Sequence, residues 1–160
     1  MLVPDMGGDD TIDGGGDDDL LLGGFGADSI TGGPGSDIAF GDNGFLEFVP
    51  TLVGPGLETL QLAATTDPTL GGPDTIALDG GDDLAFGGTG ADVITGGADS
   101  DILLGDHGRF DPDLPTSLPV ESIFTSDAHG AGDDEIHGNG GDDFIPVSYT
   151  HLTLPTNREV

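Results

Sequence analysis

The chain has 160 residues, of which 31 are Gly and only 6% are aromatic, so large apolar side chains are too scarce to organise it around one ordinary packed core. Its 31 acidic residues against 2 basic ones give a formal net charge of -29, which argues against nucleic acid and anionic membrane surfaces as partners and makes cations the natural complement. With no Cys there is no disulfide framework, thiolate metal site or thiol nucleophile. No run approaches the roughly 18 apolar residues of a membrane span, and the N-terminus lacks the basic and apolar regions of a cleaved signal peptide.

Read in chain order, residues 1–49 form a first block of nine-residue repeats starting at Asp5, Gly14, Gly23 and Gly32. Residues 50–68 are an insert, and residues 69–110 a second block with repeats starting at Thr69, Leu78, Gly87 and Gly96. A second insert covers 111–128, and a third block, 129–146, opens at His129 and Gly138. Position six of the repeat is Asp in every copy: Asp10, Asp19, Asp28, Asp37, Asp74, Asp83, Asp92, Asp101, Asp134 and Asp143. Position eight is always aliphatic: Ile12, Leu21, Ile30, Ala39, Ile76, Ala85, Ile94, Leu103, Ile136 and Ile145. Position four is Gly in eight copies and Asp at Asp17 and Asp99. A hard oxygen ligand and an apolar side chain thus recur in lockstep, which a merely solvated acidic tract would not produce.

A longer repeat lies above this one, because residues 7–45 match residues 71–109 at 24 of 39 positions. Each copy closes with Gly-Asp-x-Gly, at Gly41–Gly44 and Gly105–Gly108, and runs into a more apolar stretch. Phe45, Leu46, Phe48 and Val49 are candidates for an added strand or for a cap on an open end, and a linker without structure is the alternative over residues 54–66.

The nonapeptide pattern, carried most cleanly by Gly23–Thr31 and Gly87–Thr95, resembles that of the RTX, or haemolysin-type, calcium-binding repeat family. The resemblance implies an all-β fold, a right-handed parallel β-roll in short blocks with irregular inserts, in which six residues turn and three form a strand. It implies several Ca²⁺ ions held by the ten position-six Asp residues, with carbonyls of Gly24, Gly26, Gly33, Gly88, Gly90 and Gly97 helping. The pairs expected to share ions are Asp10 with Asp28, Asp19 with Asp37, Asp74 with Asp92, and Asp83 with Asp101, so that each block is a unit of two windings. The family also implies a secreted, extracellular protein exported by type I secretion that folds when it meets Ca²⁺. Gly allows positive φ and close approach of carbonyls to an ion, and stacking buries what no single repeat can.

The run from Pro146 to Thr156 contains neither Gly nor Asp and resembles one reading frame of a transposase-based sequencing adapter. Residues 147–160 are therefore expected to be foreign to the natural chain, and the chain a fragment. His107, His129 and His137 lie in Asp-rich turns and are read as solvated turn residues, and His151 falls in the tail. No catalytic motif such as H-E-x-x-H, G-x-S-x-G or a P-loop is present, so no enzyme is expected. The expected role is a structural or adhesive module of a larger secreted bacterial protein. The alternative is the repeat appendage of a secreted enzyme or toxin.

Overall fold

A computed structural model describes residues 7–50, 58–112, 123–125 and 132–146. The expected foreign tail at 147–160, His129 and His151 lie outside the described residues. Among those residues every regular element is a strand. Strands of three to five residues alternate between two parallel sheets, as a nonapeptide with one short strand per copy requires. The first sheet joins β1 (Thr11–Asp13), β3 (Ser29–Thr31), β7 (Thr75–Ala77), β9 (Val93–Gly97) and β13 (Glu135–Asn139) in that order. The second joins β2 (Leu20–Leu22), β4 (Ile38–Phe40), β8 (Leu84–Phe86) and β10 (Ile102–Leu104), with Phe144 bridged to Ile102 beyond β10.

Between the sheets lies a narrow core made of the position-eight side chains. Leu21, Ile30, Ala39, Ile76, Ala85, Ile94 and Leu103 are buried, with Leu78 beside them and Ile12, Ile136 and Ile145 packed at the ends. In-register parallel pairing puts Ile12, Ile30, Ile76, Ile94 and Ile136 in one row. Each repeat alone would leave its aliphatic side chain in water, and only stacking removes it.

The blocks do not stand as separate two-winding units. Ile30 pairs with Ile76 and Ala39 with Ala85 across the first insert, so the roll is continuous. The physical reason is that the insert is a closed hairpin. β5 (Gly44–Pro50) and β6 (Glu58–Thr65) pair antiparallel from Gly44↔Thr65 outward, with a bulge between Glu47 and Phe48, so the chain returns to where it left. The inserts are correspondingly not irregular where described. β11 (Gly108–Phe110) and β12 (Ile123–Thr125) pair antiparallel in the second insert, and β11 also pairs with β6, giving one sheet in the order β12-β11-β6-β5.

This added sheet creates a second core. Phe40, Ala63, Leu84, Phe86 and Leu104 are buried together, with Ile38, Leu46, Leu60, Ile102 and Phe110 against them. Phe40 and Phe86 stack with ring centroids 4.8 Å apart and planes 6° apart. The outward positions seven and nine are therefore apolar in the second parallel sheet, where the insert sheet covers those of β4, β8 and β10, and mostly polar in the first, as at Thr11, Asp13, Ser29, Thr31 and Thr75.

Candidate metal centre

The turns between strands need a backbone that doubles back within six residues. Positive φ recurs at positions two and four, at Gly24, Gly26, Gly33, Gly88, Gly90 and Gly97 among others. Where position four is Asp, at Asp17 and Asp99, φ is also positive (73° and 74°), as it is for Asp79 and Asn139 at position two. Short Asx side chains tolerate that conformation, so the turn survives the substitutions. Position four of each winding lies over its equivalent in the winding before. A Cβ on Gly26 would meet the Gly8 carbonyl, one on Gly72 that of Gly26, and one on Gly132 that of Gly90.

Position six builds two ladders, one on each side of the roll. Along one, the amides of Asp10, Asp28, Asp74 and Asp92 donate to Oδ1 of Asp28, Asp74, Asp92 and Asp134 at 2.7–3.0 Å. Along the other, the amides of Asp19, Asp37, Asp83 and Asp101 donate to Oδ1 of Asp37, Asp83, Asp101 and Asp143 at 2.8–3.1 Å. The pairs named from sequence are neighbours here, but so are Asp28 with Asp74, Asp37 with Asp83, Asp92 with Asp134 and Asp101 with Asp143, all of which span an insert. Asp28, Asp37, Asp74, Asp83, Asp92 and Asp101 are buried, Asp19, Asp134 and Asp143 are half-buried, and Asp10 is exposed at the first winding.

The ladders also locate where the repeats begin. The amide of Gly24 donates to the Gly41 carbonyl at 2.9 Å, as that of Gly15 does to Gly32 at 3.0 Å, and Gly88 does the same to Gly105 at 2.9 Å. A Cβ on Gly41 would strike Oδ2 of Asp74, just as one on Gly23 would strike Oδ2 of Asp28, and Gly105 bears the same relation to Asp134. The position-one residues of the repeats whose position six is Asp74 and Asp134 are thus Gly41 and Gly105, where the contiguous register put Thr69 and His129. Each insert is spliced into the turn of one split repeat. Sequence reasoning missed this because it sought nine contiguous residues. The repeated Gly-Asp at 41–42 and 105–106 was the available signal.

At the first splice Asp42 is buried, and its carboxylate accepts from the amides of Gly72 and Thr89. Burial pushes this carboxyl up to about 6. His107 corrects the expectation of a solvated turn residue. It is buried, with Nε2 2.8 Å from Thr89 Oγ1, because the second splice folds it beneath the neighbouring turn, and burial lowers its pKa. His137 is exposed, 2.9 Å from Glu135.

The second oxygen of the ladder carboxylates decides the chemistry. Oδ2 of Asp19, Asp28, Asp37, Asp74, Asp83, Asp92 and Asp101 is buried without a hydrogen-bond partner. A buried carboxylate oxygen facing no donor is costly, and desolvation raises the pKa of Asp28, Asp37 and Asp101, and takes Asp134 to about 6, Asp74 and Asp83 to about 7 and Asp92 to about 8. A row of such oxygens beside backbone carbonyls fits hard divalent cations. Among the described residues no three or more His, Asp or Glu side chains gather into one cluster that could hold a metal, so an ion on these ladders would take most of its six to eight oxygens from the backbone, as Ca²⁺ tolerates. Also among those residues, no helix is long and apolar enough to cross a membrane.

No curated protein and no solved structure matches the chain. The family model for the RTX calcium-binding nonapeptide repeat matches four times, over residues 5–30, 14–45, 70–109 and 130–145. Those matches cover more than half of the sequence and coincide with the windings that carry the two Asp ladders. RTX nonapeptide repeats bind calcium and are typical of bacterial proteins exported by type I secretion. The chain belongs to the RTX calcium-binding nonapeptide repeat family.

Proposed function

We propose that the chain is a calcium-folded structural or adhesive module of a larger secreted bacterial protein, without catalytic activity of its own. The observation that carries the reading is the row of seven buried Oδ2 atoms with no hydrogen-bond donor. The ligands would be Asp10, Asp19, Asp28, Asp37, Asp74, Asp83, Asp92, Asp101, Asp134 and Asp143, with carbonyls of Gly24, Gly26, Gly33, Gly88, Gly90 and Gly97. Ca²⁺ would supply the positive charge that lets these carboxylates remain ionised while buried. At the low Ca²⁺ of a cytosol the chain would stay unfolded and exportable. Outside, at about 10⁻⁴ to 10⁻³ M, it would close into the roll.

Equilibrium dialysis against Ca²⁺ tests the reading on the full chain. Several ions per chain with half-saturation in about that range are expected, and a stoichiometry below one rejects it. The alternative, an appendage of a secreted enzyme or toxin, is separated by the flanking reading frame. A hydrolase or zinc-protease motif there supports the enzyme, and further modules of the long repeat support the structural role.

A further inference from the structure

In the unsplit turns the position-two carbonyl faces the next winding. The position-three amides of Gly80, Ala98 and Gly140 donate to the carbonyls of Gly33, Asp79 and Gly97 at 3.4, 2.8 and 2.9 Å. A Cβ on Gly33 would strike the Gly15 carbonyl, and one on Gly97 that of Asp79, so position two also lies over its equivalent. Positive φ at Gly15, Gly33, Asp79 and Gly97 presents their carbonyls in this way.

Asp42 stands at position two of the first split repeat without positive φ, because the chain leaves the turn there for β5. Its side chain takes the carbonyl's place. The position-three amide of the next winding, that of Thr89, donates to Oδ2 of Asp42, and a Cβ on Gly88 would strike the same oxygen. Both contacts that mark a position-two carbonyl elsewhere are thus made here by a carboxylate oxygen, on a side chain only 1% exposed. Oδ2 of Asp74, equally buried and without a hydrogen-bond partner, lies between the same two windings, where a Cβ on Gly41 would strike both it and the Gly87 carbonyl. Asp42 and Asp74 are close enough to repel each other, and Asp106, at the equivalent place in the second splice, repels Asp134. A neutral side-chain oxygen would serve the Thr89 amide without this repulsion, so the carboxylate points to a cation.

We propose that Asp42 is a further Ca²⁺ ligand outside the nonapeptide pattern, its Oδ2 replacing the position-two carbonyl of the split turn and sharing an ion with Asp74 and carbonyls of the turn at 87–90. The insert then enters the roll without costing the ladder an ion. One carboxylate in a carbonyl's place keeps the shell mostly backbone, in line with the lack of a three-carboxylate cluster among the described residues. The inference rests on the calcium reading of the ladders.

The test is equilibrium dialysis against Ca²⁺ of the full chain and of D42G, D42N and D79G, with circular dichroism of the same samples. Asp79 is the control, a position-two Asp that is exposed and keeps its carbonyl in the usual place. At Ca²⁺ about tenfold above the wild-type midpoint, D42G is expected to bind one ion fewer per chain and D79G as many as the wild type. D42N keeps a neutral oxygen, so it should hold the wild-type number but raise the midpoint at least about threefold, because ligand charge tunes affinity. A D42G chain that binds the wild-type number, even with a weaker β signal, overturns the ligand role and leaves Asp42 a hydrogen-bond acceptor. D42N at the wild-type midpoint overturns it too, and decides the matter if D42G does not fold. Loss of an ion in D79G as well overturns the assignment to the splice. A wild type that binds no Ca²⁺ overturns the calcium reading itself, whereas one that binds several ions unaffected by Asp42 overturns this inference alone.

Discussion

Asp92→Asn separates the hydrogen-bonding task of a ladder residue from its charge. Oδ1 of Asp92 accepts from the Asp74 amide at 2.8 Å, and Oδ2 is buried without a partner. Burial, with repulsion from Asp74, Asp134 and Asp42, pushes this carboxyl from 3.8 up to about 8, against the lowering effect of the Asp74 amide. A metal-free roll at pH 7 must therefore keep Asp92 neutral, at a cost of about 4 kcal/mol relative to an ordinary carboxyl, from about 1.4 kcal/mol for each pH unit above 3.8. Asparagine keeps an oxygen for the Asp74 amide and removes that cost, so the metal-free roll gains up to about 4 kcal/mol. The calcium-bound roll instead loses a charged ligand, at about 1.5–3 kcal/mol by analogy with a charged hydrogen bond, which raises the Ca²⁺ midpoint by about tenfold or more. Two circular dichroism titrations read both effects. Without metal, the variant's acid-induced β signal should start at higher pH than the wild type's, while at pH 7 its Ca²⁺ midpoint should rise. A variant destabilised in both titrations, or one with an unchanged Ca²⁺ midpoint, would refute the metal role of Asp92.

The other predictions address proton competition, the turns and the second core. The resolved shifts of Asp28, Asp37, Asp42, Asp74, Asp83, Asp92, Asp101 and Asp134 are all upward through burial, so the folded metal-free chain binds protons more tightly than the unfolded one. Its stability is full below 3.8 and is lost as pH rises through about 6, 7 and 8; acidification should therefore increase β signal in chelator, weaken Ca²⁺ binding, and make Ca²⁺ addition release protons into a weakly buffered solution. Folding in chelator that improves with rising pH would contradict the buried ladder. Gly15 and Gly33 have the same φ, +103° and +102°, but a Cβ on Gly15 meets nothing within 4 Å whereas one on Gly33 is driven into the Gly15 carbonyl. G15A should cost about 1–2 kcal/mol in Ca²⁺ by urea unfolding and G33A clearly more; equal costs would mean that the windings do not stack this closely. Phe86→Ala removes a fully buried ring stacked on Phe40 and should cost about 3–5 kcal/mol in the same assay, against under about 0.5 kcal/mol for Phe45→Ala on an exposed ring. Similar small losses for both would show that the insert sheet does not pack on the roll.

The parallel sheets were legible because their signal has a fixed nine-residue period. Ile30, Ile76 and Ile94 announce an inward row, and Asp28, Asp74 and Asp92 a polar row beside it. The continuity of the roll was not legible from the period, since Asp28 and its partner Asp74 are 46 residues apart while Asp10 and Asp28 are 18 apart. Only a hairpin that closes at Gly44 and Thr65 makes those separations equivalent, and β pairing over such distances leaves little local trace. The second core did leave a trace. Ile38, Phe40, Leu84, Phe86, Ile102 and Leu104 are apolar at positions seven and nine in alternate repeats, where Ser29, Thr31 and Thr95 are polar. That alternation shows which outward face needs a cover. The burial of His107 had no such signal, because it depends on where the second splice lies against Thr89.

The central claim, that Ca²⁺ on the two Asp ladders organises the roll, is tested most directly by far-UV circular dichroism of the full chain during a Ca²⁺ titration, with Mg²⁺ in parallel. Ca²⁺ accepts irregular shells of six to eight oxygens rich in carbonyls, whereas Mg²⁺ demands a tight octahedron and gives up its water reluctantly. A cooperative rise of β signal with a midpoint of about 10⁻⁴ to 10⁻³ M in Ca²⁺, and none in Mg²⁺ at the same concentrations, is the predicted result. An unchanged spectrum up to about 10 mM Ca²⁺, or an identical response to both ions, would contradict it.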